Sequence, residues 1–326
     1  MTDRVDQQDR DARLRAPDAA GHESTTHPPA GLPQEFPQRR GGQEKSRSLG
    51  ADAWRDLIRN PIFIVSSLVA LAIVSMAVAP WLWTNTNPHI CNLTNSKQGP
   101  SPGHPFGFTI QGCDMYAQVI YGARPSIIIA VLSTLGTTVI GTGLGTLAAF
   151  YGGKIDTVIS RATDIVFGLP FILGALLFLS IVNINSVWTI AAVLIALGWT
   201  QLTRIMRGSV LSIQHSDYVR AARGLGASNS RIIFRHILPN AIAPAIVMGT
   251  IALGGYVSAE ATLTYLGVGL QLPEISWGIL IAKGDSWAVS GYPHLLLFPC
   301  LFLVITVLAF ILMGDAVRDA IDPKLR

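Results

Sequence analysis

The chain has 326 residues, 50% of them hydrophobic and 13% charged, with a mean hydropathy of +0.43. That charge content is about half the ~25% of soluble domains, which excludes an ordinary soluble core and implies a polytopic membrane protein. A formal charge of +4 and a pI near 9.1 would suit a nucleic-acid binder, but the basic residues fall mostly in segments assigned below to one membrane side, so no nucleic-acid partner is expected.

Residues 1–53 form a first region in which Pro, Gly, Ser, Gln and mixed charges dominate while Leu and aromatic residues are scarce. Such a tail cannot bury enough apolar surface to offset its ordering entropy, and it is expected to be a disordered cytoplasmic extension. No apolar h-region follows its first charges, so it does not read as a signal peptide. From Trp54 onward the composition changes. Trp54 to Pro61 reads as a short interfacial helix ending at Asn60-Pro61.

Hydropathy then predicts about six membrane-spanning helices, each near the ~20 residues that a ~30 Å hydrocarbon core requires. They run from Ile62 to Trp83, Pro125 to Tyr151, Ala162 to Val182, Val187 to Leu202, Ala241 to Tyr265 and Leu295 to Gly314. The fold class is therefore an all-α helical bundle. With the amino terminus inside, Lys154, Arg161, Arg204, Arg207, Arg220, Arg223, Arg231, Arg235, Arg318, Lys324 and Arg326 all fall on the inner side. Lys97, Arg124 and Lys283 fall outside. The positive-inside rule then predicts a multi-pass plasma-membrane protein with both termini cytoplasmic.

The first outside loop, Thr84 to Arg124, is polar, rich in Pro and Gly, and holds Cys91 and Cys113. An extracytoplasmic compartment permits a disulfide between them, worth ~3 kcal/mol in the chain-entropy model; two unpaired thiols are the alternative. Cys300 lies inside the sixth span and reads as a small packing residue. His104 has no second His at a metal-ligand spacing, and no metal is expected.

Gly141 and Gly145 in the second span form a small-xxx-small pair suited to close helix approach. No Lys-Ser/Thr pair follows the glycines, and no Walker A sequence occurs in the chain, so any ATP and Mg would belong to partner subunits. The chain itself is expected to hold no cofactor and to be no enzyme. Gly168-Leu169-Pro170 can kink the third span, a break suited to a gating helix or to simple packing. Asp156 with Arg161 reads as an interfacial anchor. In the fifth span Glu260 is the one acid that stands out, fitting either the substrate path or snorkelling to the outer interface.

Between the fourth and fifth spans lies the stretch that most constrains function, Asp217 to Asn240, DYVRAARGLGASNSRIIFRHILPN. Its charges keep it out of the bilayer. Ser216 or Asp217 can cap a first short helix with Tyr218, Ala221, Ala222 and Leu225 at i, i+3, i+4, i+7 spacing. Gly226 suits the left-handed position that stops it, Ser228 or Asn229 can cap a second helix, and Pro239 limits that one. The segment reads as a helical bracket on the membrane surface, exposed to water or to a soluble partner.

The bracket resembles the EAA signature of permease subunits of ATP-binding-cassette (ABC) importers. Arg220-Ala221-Ala222 occupies the EAA place, Gly226 the glycine and Leu238-Pro239 the ending, with Arg220 replacing the acid and His236 the isoleucine. Other stretches are similar to the dipeptide/oligopeptide (peptide/nickel) branch, second-permease or C type. They are His104-Pro105-Phe106-Gly107 with Gly112 and Asp114, then Tyr121-Gly122-Ala123-Arg124 with Ser126, and Gly152-Gly153-Lys154-Ile155-Asp156. AEATLTYLGVG around Glu260, Pro273 with Ser276-Trp277-Gly278, and Gly314-Asp315 to Pro323 complete the set, so the likeness covers about Trp54 to Arg326.

The resemblance implies a type I importer architecture for residues 54–326 in a bacterial inner membrane. It implies a second permease as heterodimer partner, two ATP-binding subunits, an extracytoplasmic substrate-binding protein and surrounding membrane lipid. Di- or oligopeptides are the implied cargo, with nickel complexes or another small solute as alternatives. Tyr218, Arg220, Ala221, Ala222, Leu225, Gly226, Leu238 and Pro239, within the coupling segment 217–240, are implied to meet the ATPase. A secondary transporter is the rival class, but little besides Glu260 could couple an ion. No HExxH motif supports an intramembrane enzyme.

Overall fold

The computed structural model describes residues 54–321. The predicted tail, and Asp322 to Arg326 with Lys324 and Arg326, lie outside the described residues. A single helical turn at residues 54–57 precedes the first span, whose start is set by Asn60: its side chain accepts a bond from the Ile62 N–H at 2.9 Å, and Pro61 fills the first helical position, where its missing N–H costs nothing.

Nine helices of eight or more residues follow among the described residues. They are α1 (Pro61–Val78), α2 (Met115–Tyr151), α3 (Gly153–Phe167), α4 (Phe171–Val182) and α5 (Val187–Ile213). After them come α6 (Asp217–Gly224), α7 (Ala243–Tyr265), α8 (Trp277–Ala288) and α9 (His294–Ile321). α1, α2, α5, α7 and α9 are each long and apolar enough to cross a membrane; α3 with α4 makes a sixth span only as a pair bent by 85°.

The boundaries differ from the sequence reading in informative ways. α2 begins ten residues before Pro125, which it contains, because Asp114 caps it by accepting from the Ala117 N–H at 2.7 Å. At ~1.5 Å per residue, 37 residues far exceed a ~30 Å core, so α2 projects beyond the bilayer. α1 ends at Val78, and Pro80–Leu82 is a separate 3₁₀ turn. α5 runs on past Leu202 through Arg204 and Arg207 to Ile213. The predicted continuous third span is broken at Gly168 to Pro170, with α3 forming an amphipathic arm.

α2 and α5 pack closely along their lengths, and Gly141 and Gly145 permit it. A Cβ on Gly141 would lie 2.8 Å from Leu202 Cβ, and one on Gly145 2.6 Å from the Thr203 carbonyl oxygen. The main apolar core joins these two helices to α1, α4, α7, α8 and α9 through buried side chains such as Ile129, Leu194, Val257 and Leu263. A second, smaller core gathers Leu202, Met206 and Val210 of α5 with Val219, Ile232, Ile237 and Ala245.

Candidate functional site: the bracket, the groove and the polar ties between them

The bracket has the two arms expected from its sequence. Gly226 stands just past α6 with φ of +78°, a conformation that a Cβ disfavours. Ser216 occupies the cap position of α6 without a side-chain cap bond, whereas Ser228 does cap the second arm, accepting from the Arg231 N–H at 3.4 Å. Pro239 does not stop that arm. The helix widens to a π-helical stretch, Ile232–Ile237, before continuing through Leu238–Ala241. In an α-helix the proline ring would press on the carbonyl one turn earlier; in the wider turn the Leu238 N–H instead bonds the Ile233 carbonyl.

Burial sorts the bracket residues into two sets. Val219 is 1% exposed and belongs to the second core; Ala222 and Leu238 are half-buried. Tyr218, Ala221, Leu225, Gly226 and Pro239 are exposed, Leu225 to 89%. Arg220 also points to solvent, paired with Asp217 on its own helix. The apolar face predicted for α6 is thus divided: Ala222 is half-buried beside Val219, which ties the helix down, while Tyr218, Ala221 and Leu225 face outward. The i, i+3 pairing of Val219 with Ala222 was the available signal for the inner side. Phe234, 68% exposed on the second arm, adds a further outward apolar group that the motif did not single out.

A groove of about 630 Å³ opens where α3 bends into α4. Phe167, Phe171, Gln201, Tyr256, Ser258 and Thr262 are among its lining, which carries no charged side chain among the described residues. Gln201 and Ser258 are exposed in it. Sequence reading passes over Phe167, Phe171, Gln201 and Tyr256 and meets Ser258 and Thr262 only as neighbours of Glu260 in the fifth span, because neutral residues in apolar helices carry no pattern of their own; only the Gly168-Leu169-Pro170 break marks the place.

Glu260 does not line that groove. It is fully buried, its carboxylate accepting from Ser126 Oγ at 2.7 Å and from Thr264 Oγ1 at 2.9 Å. Thr264 in turn accepts from the Leu270 N–H at 3.1 Å. The same end of the molecule is tied by Trp277, also fully buried rather than lying in an interfacial belt, whose indole N–H donates to the Val119 carbonyl at 2.9 Å. Cys91 and Cys113 are bonded to each other. His104 is not a free loop residue but pairs with Asp114, the cap of α2. Lys97 Nζ lies 3.9 Å from the Trp287 ring centre.

At the bracket end the ties are ionic. Asp156 pairs with Arg207 of α5 and not with Arg161: Nε and Nη2 donate to its two oxygens, each at 2.6 Å. Asp156 and Arg161 are five residues apart on one helix and do not face each other. Arg161 instead reaches Asp164 loosely, at 3.8 Å, and Arg204 Nη2 donates to Asp164 at 2.9 Å.

Residues 141–326 match the family described as binding-protein-dependent transport system inner membrane component, and residues 48–100 match the N-terminal TM domain of oligopeptide transport permease C. The dipeptide transport system permease protein DppC of Bacillus subtilis is 36% identical over 285 residues, 86% of this chain and 88% of that protein. The oligopeptide transport system permease protein OppC of the same organism is 36% identical over 87% of this chain and 92% of its own length. The glutathione transport system permease protein GsiD of Pectobacterium atrosepticum is 33% identical over 84% and 90%. Among solved structures, an inward-facing MetNI methionine ABC transporter chain aligns with a TM-score of 0.51 and 22% identity over 62% of this chain and 96% of its own, a likeness of fold.

Proposed function

Because the chain belongs to the family of binding-protein-dependent transport system inner membrane components, as an ABC importer permease of the oligopeptide C type, we propose that it carries di- or oligopeptides and is driven through its bracket. In this reading a second permease closes the groove from the open side, and two separate subunits bind and hydrolyse ATP. An extracytoplasmic binding protein delivers cargo at the end closed by the disulfide. The positive-inside distribution supports a cytoplasmic position for the bracket and both termini.

One observation carries the coupling part: a short helix anchored by a single fully buried valine, Val219, presents Tyr218, Ala221 and Leu225 on a surface where, among the described residues, all three stay exposed. Exposed apolar groups flanked by Arg220 and Arg223 suit a protein socket. A groove without charged groups suits cargo whose side chains vary, since it offers amide and hydroxyl partners for a peptide backbone and favours no one side-chain charge. The buried position of Glu260 supports a role in holding α2 to α7 rather than in touching cargo.

The test is reconstitution of the complete complex in proteoliposomes, with radiolabelled tri-alanine supplied on the binding protein. Uptake is expected on ATP addition and none on a membrane potential alone. Uptake driven by potential without ATP would overturn the ATP-driven reading, and ATP-driven uptake of a nickel chelate but no tri-alanine would overturn the peptide assignment.

A further inference from the structure

Three observations converge on the inner end of α5. First, two arginines one turn apart each hold a carboxylate of α3: Arg207 grips Asp156 with two parallel bonds, and Arg204 reaches Asp164. Second, the Arg204 guanidinium also lies 4.2 Å from the ring centre of Phe167, the last residue of α3 and part of the groove wall. Third, a neighbouring face of the same stretch of α5, carrying Met206 and Val210, shares the second core with Val219 of α6. The bracket, the foot of α5, the α3 arm and the groove wall are therefore joined by contacts in series.

We propose that Arg204 and Arg207 are positioning residues of the transport cycle, a two-pronged latch through which displacement of the bracket moves α3 and, by the bend at Gly168 to Pro170, resets the groove wall. The inference rests on the bracket being the ATPase contact. The chemistry suits a latch that opens and recloses. Side-chain exposure of the four partners runs from 23% for Asp156 to 53% for Asp164, so each charge can be rehydrated when its pair separates. A fully buried tie such as that of Glu260 would leave unpaired groups in a dry interior on opening. The fork of Arg207 also sets an orientation, because two parallel bonds fix the angle of α3 as well as its distance.

The test uses the complete complex in proteoliposomes, reading tri-alanine uptake and ATP hydrolysis separately. Asp156→Asn and Arg207→Gln are each expected to lower the peptide carried per ATP about tenfold, with hydrolysis within about twofold of the unaltered complex. The exchange of Asp156→Arg with Arg207→Asp should recover most of that ratio, and Arg207→Lys, lacking the fork, should not. An unchanged ratio in both single variants, or an assembled exchange variant that recovers nothing, overturns the latch.

Should the charge variants fail to assemble, spin labels at Val158→Cys and Ser212→Cys in a Cys300→Ser background read the α3 to α5 separation directly, both positions being exposed. The separation is expected to shift by up to a helical turn, ~5 Å, between the ATP-free and vanadate-trapped states; an identical distance in both overturns the proposal. If the unaltered complex takes up no tri-alanine at all, the peptide reading fails, and the label distance alone decides the latch.

Discussion

The two ends of this bundle are finished in opposite ways. At the disulfide end the ties are covalent or buried: Cys91 is bonded to Cys113, Asp114 caps α2 and holds His104, Trp277 donates to Val119, and Glu260 collects two hydroxyls out of contact with water. At the bracket end the ties are half-exposed ion pairs; large apolar groups stand bare at both ends, Leu225 and Phe234 here and Leu93 and Val289 there. A buried hydroxyl-to-carboxylate network is costly to open, while a hydrated ion pair is not. One end is therefore built to hold its shape and the other to be moved.

The largest effect tests the movable end. Gly226→Pro forces φ near −65° where the chain needs +78°, and it should abolish ATP-driven uptake while immunoblots show normal membrane insertion. Normal uptake by this variant would break the contrast. Next, replacing Cys91 and Cys113 together by serine should destabilise the fixed end by ~3 kcal/mol, read as a lower thermal midpoint in detergent.

Glu260→Ala should cost about 2–3 kcal/mol by leaving Ser126 and Thr264 hydroxyls without their acceptor in a dry site. Glu260→Gln, which keeps an acceptor, should cost less on the same thermal assay. The smallest stability effect sharpens the comparison within one helix. Val219→Ala should lower stability by ~1–2 kcal/mol, whereas Leu225→Ala, at a position 89% exposed, should leave stability within ~0.5 kcal/mol. Leu225→Ala should nevertheless weaken co-purification of the ATP-binding subunits. If Val219→Ala proves neutral, α6 is not anchored as described.

Much of this was legible beforehand because each feature has a local cause. Spans follow from apolar length, the stop at Gly226 from the need for positive φ, and the cysteine pairing from two thiols in one polar loop. What could not be read is what depends on three-dimensional partners. Asp156 was assigned to Arg161, its neighbour in sequence, yet its partner Arg207 lies on the next long helix. Glu260 invited a path or interface role because an acid in an apolar run is conspicuous, while the hydroxyls that satisfy it come from α2 and from the following turn. Hydropathy starts the second span at Pro125, where the apolar run begins, but the Asp114 cap starts the helix ten residues earlier in the polar loop. The groove lining, neutral and scattered over four helices, makes no pattern within any one of them, and only the Gly168-Leu169-Pro170 break marks its place.

The groove has a consequence for how this subunit is made. Gln201 and Ser258 stand exposed on an otherwise greasy flank, and amide and hydroxyl groups facing hydrocarbon without partners are penalised by a few kcal/mol each. A copy inserted alone thus carries a trough that lipid solvates poorly. In the proposed reading, where the trough is the solute path between two permeases, pairing would cover Gln201 and Ser258 and so favour assembly as well as transport.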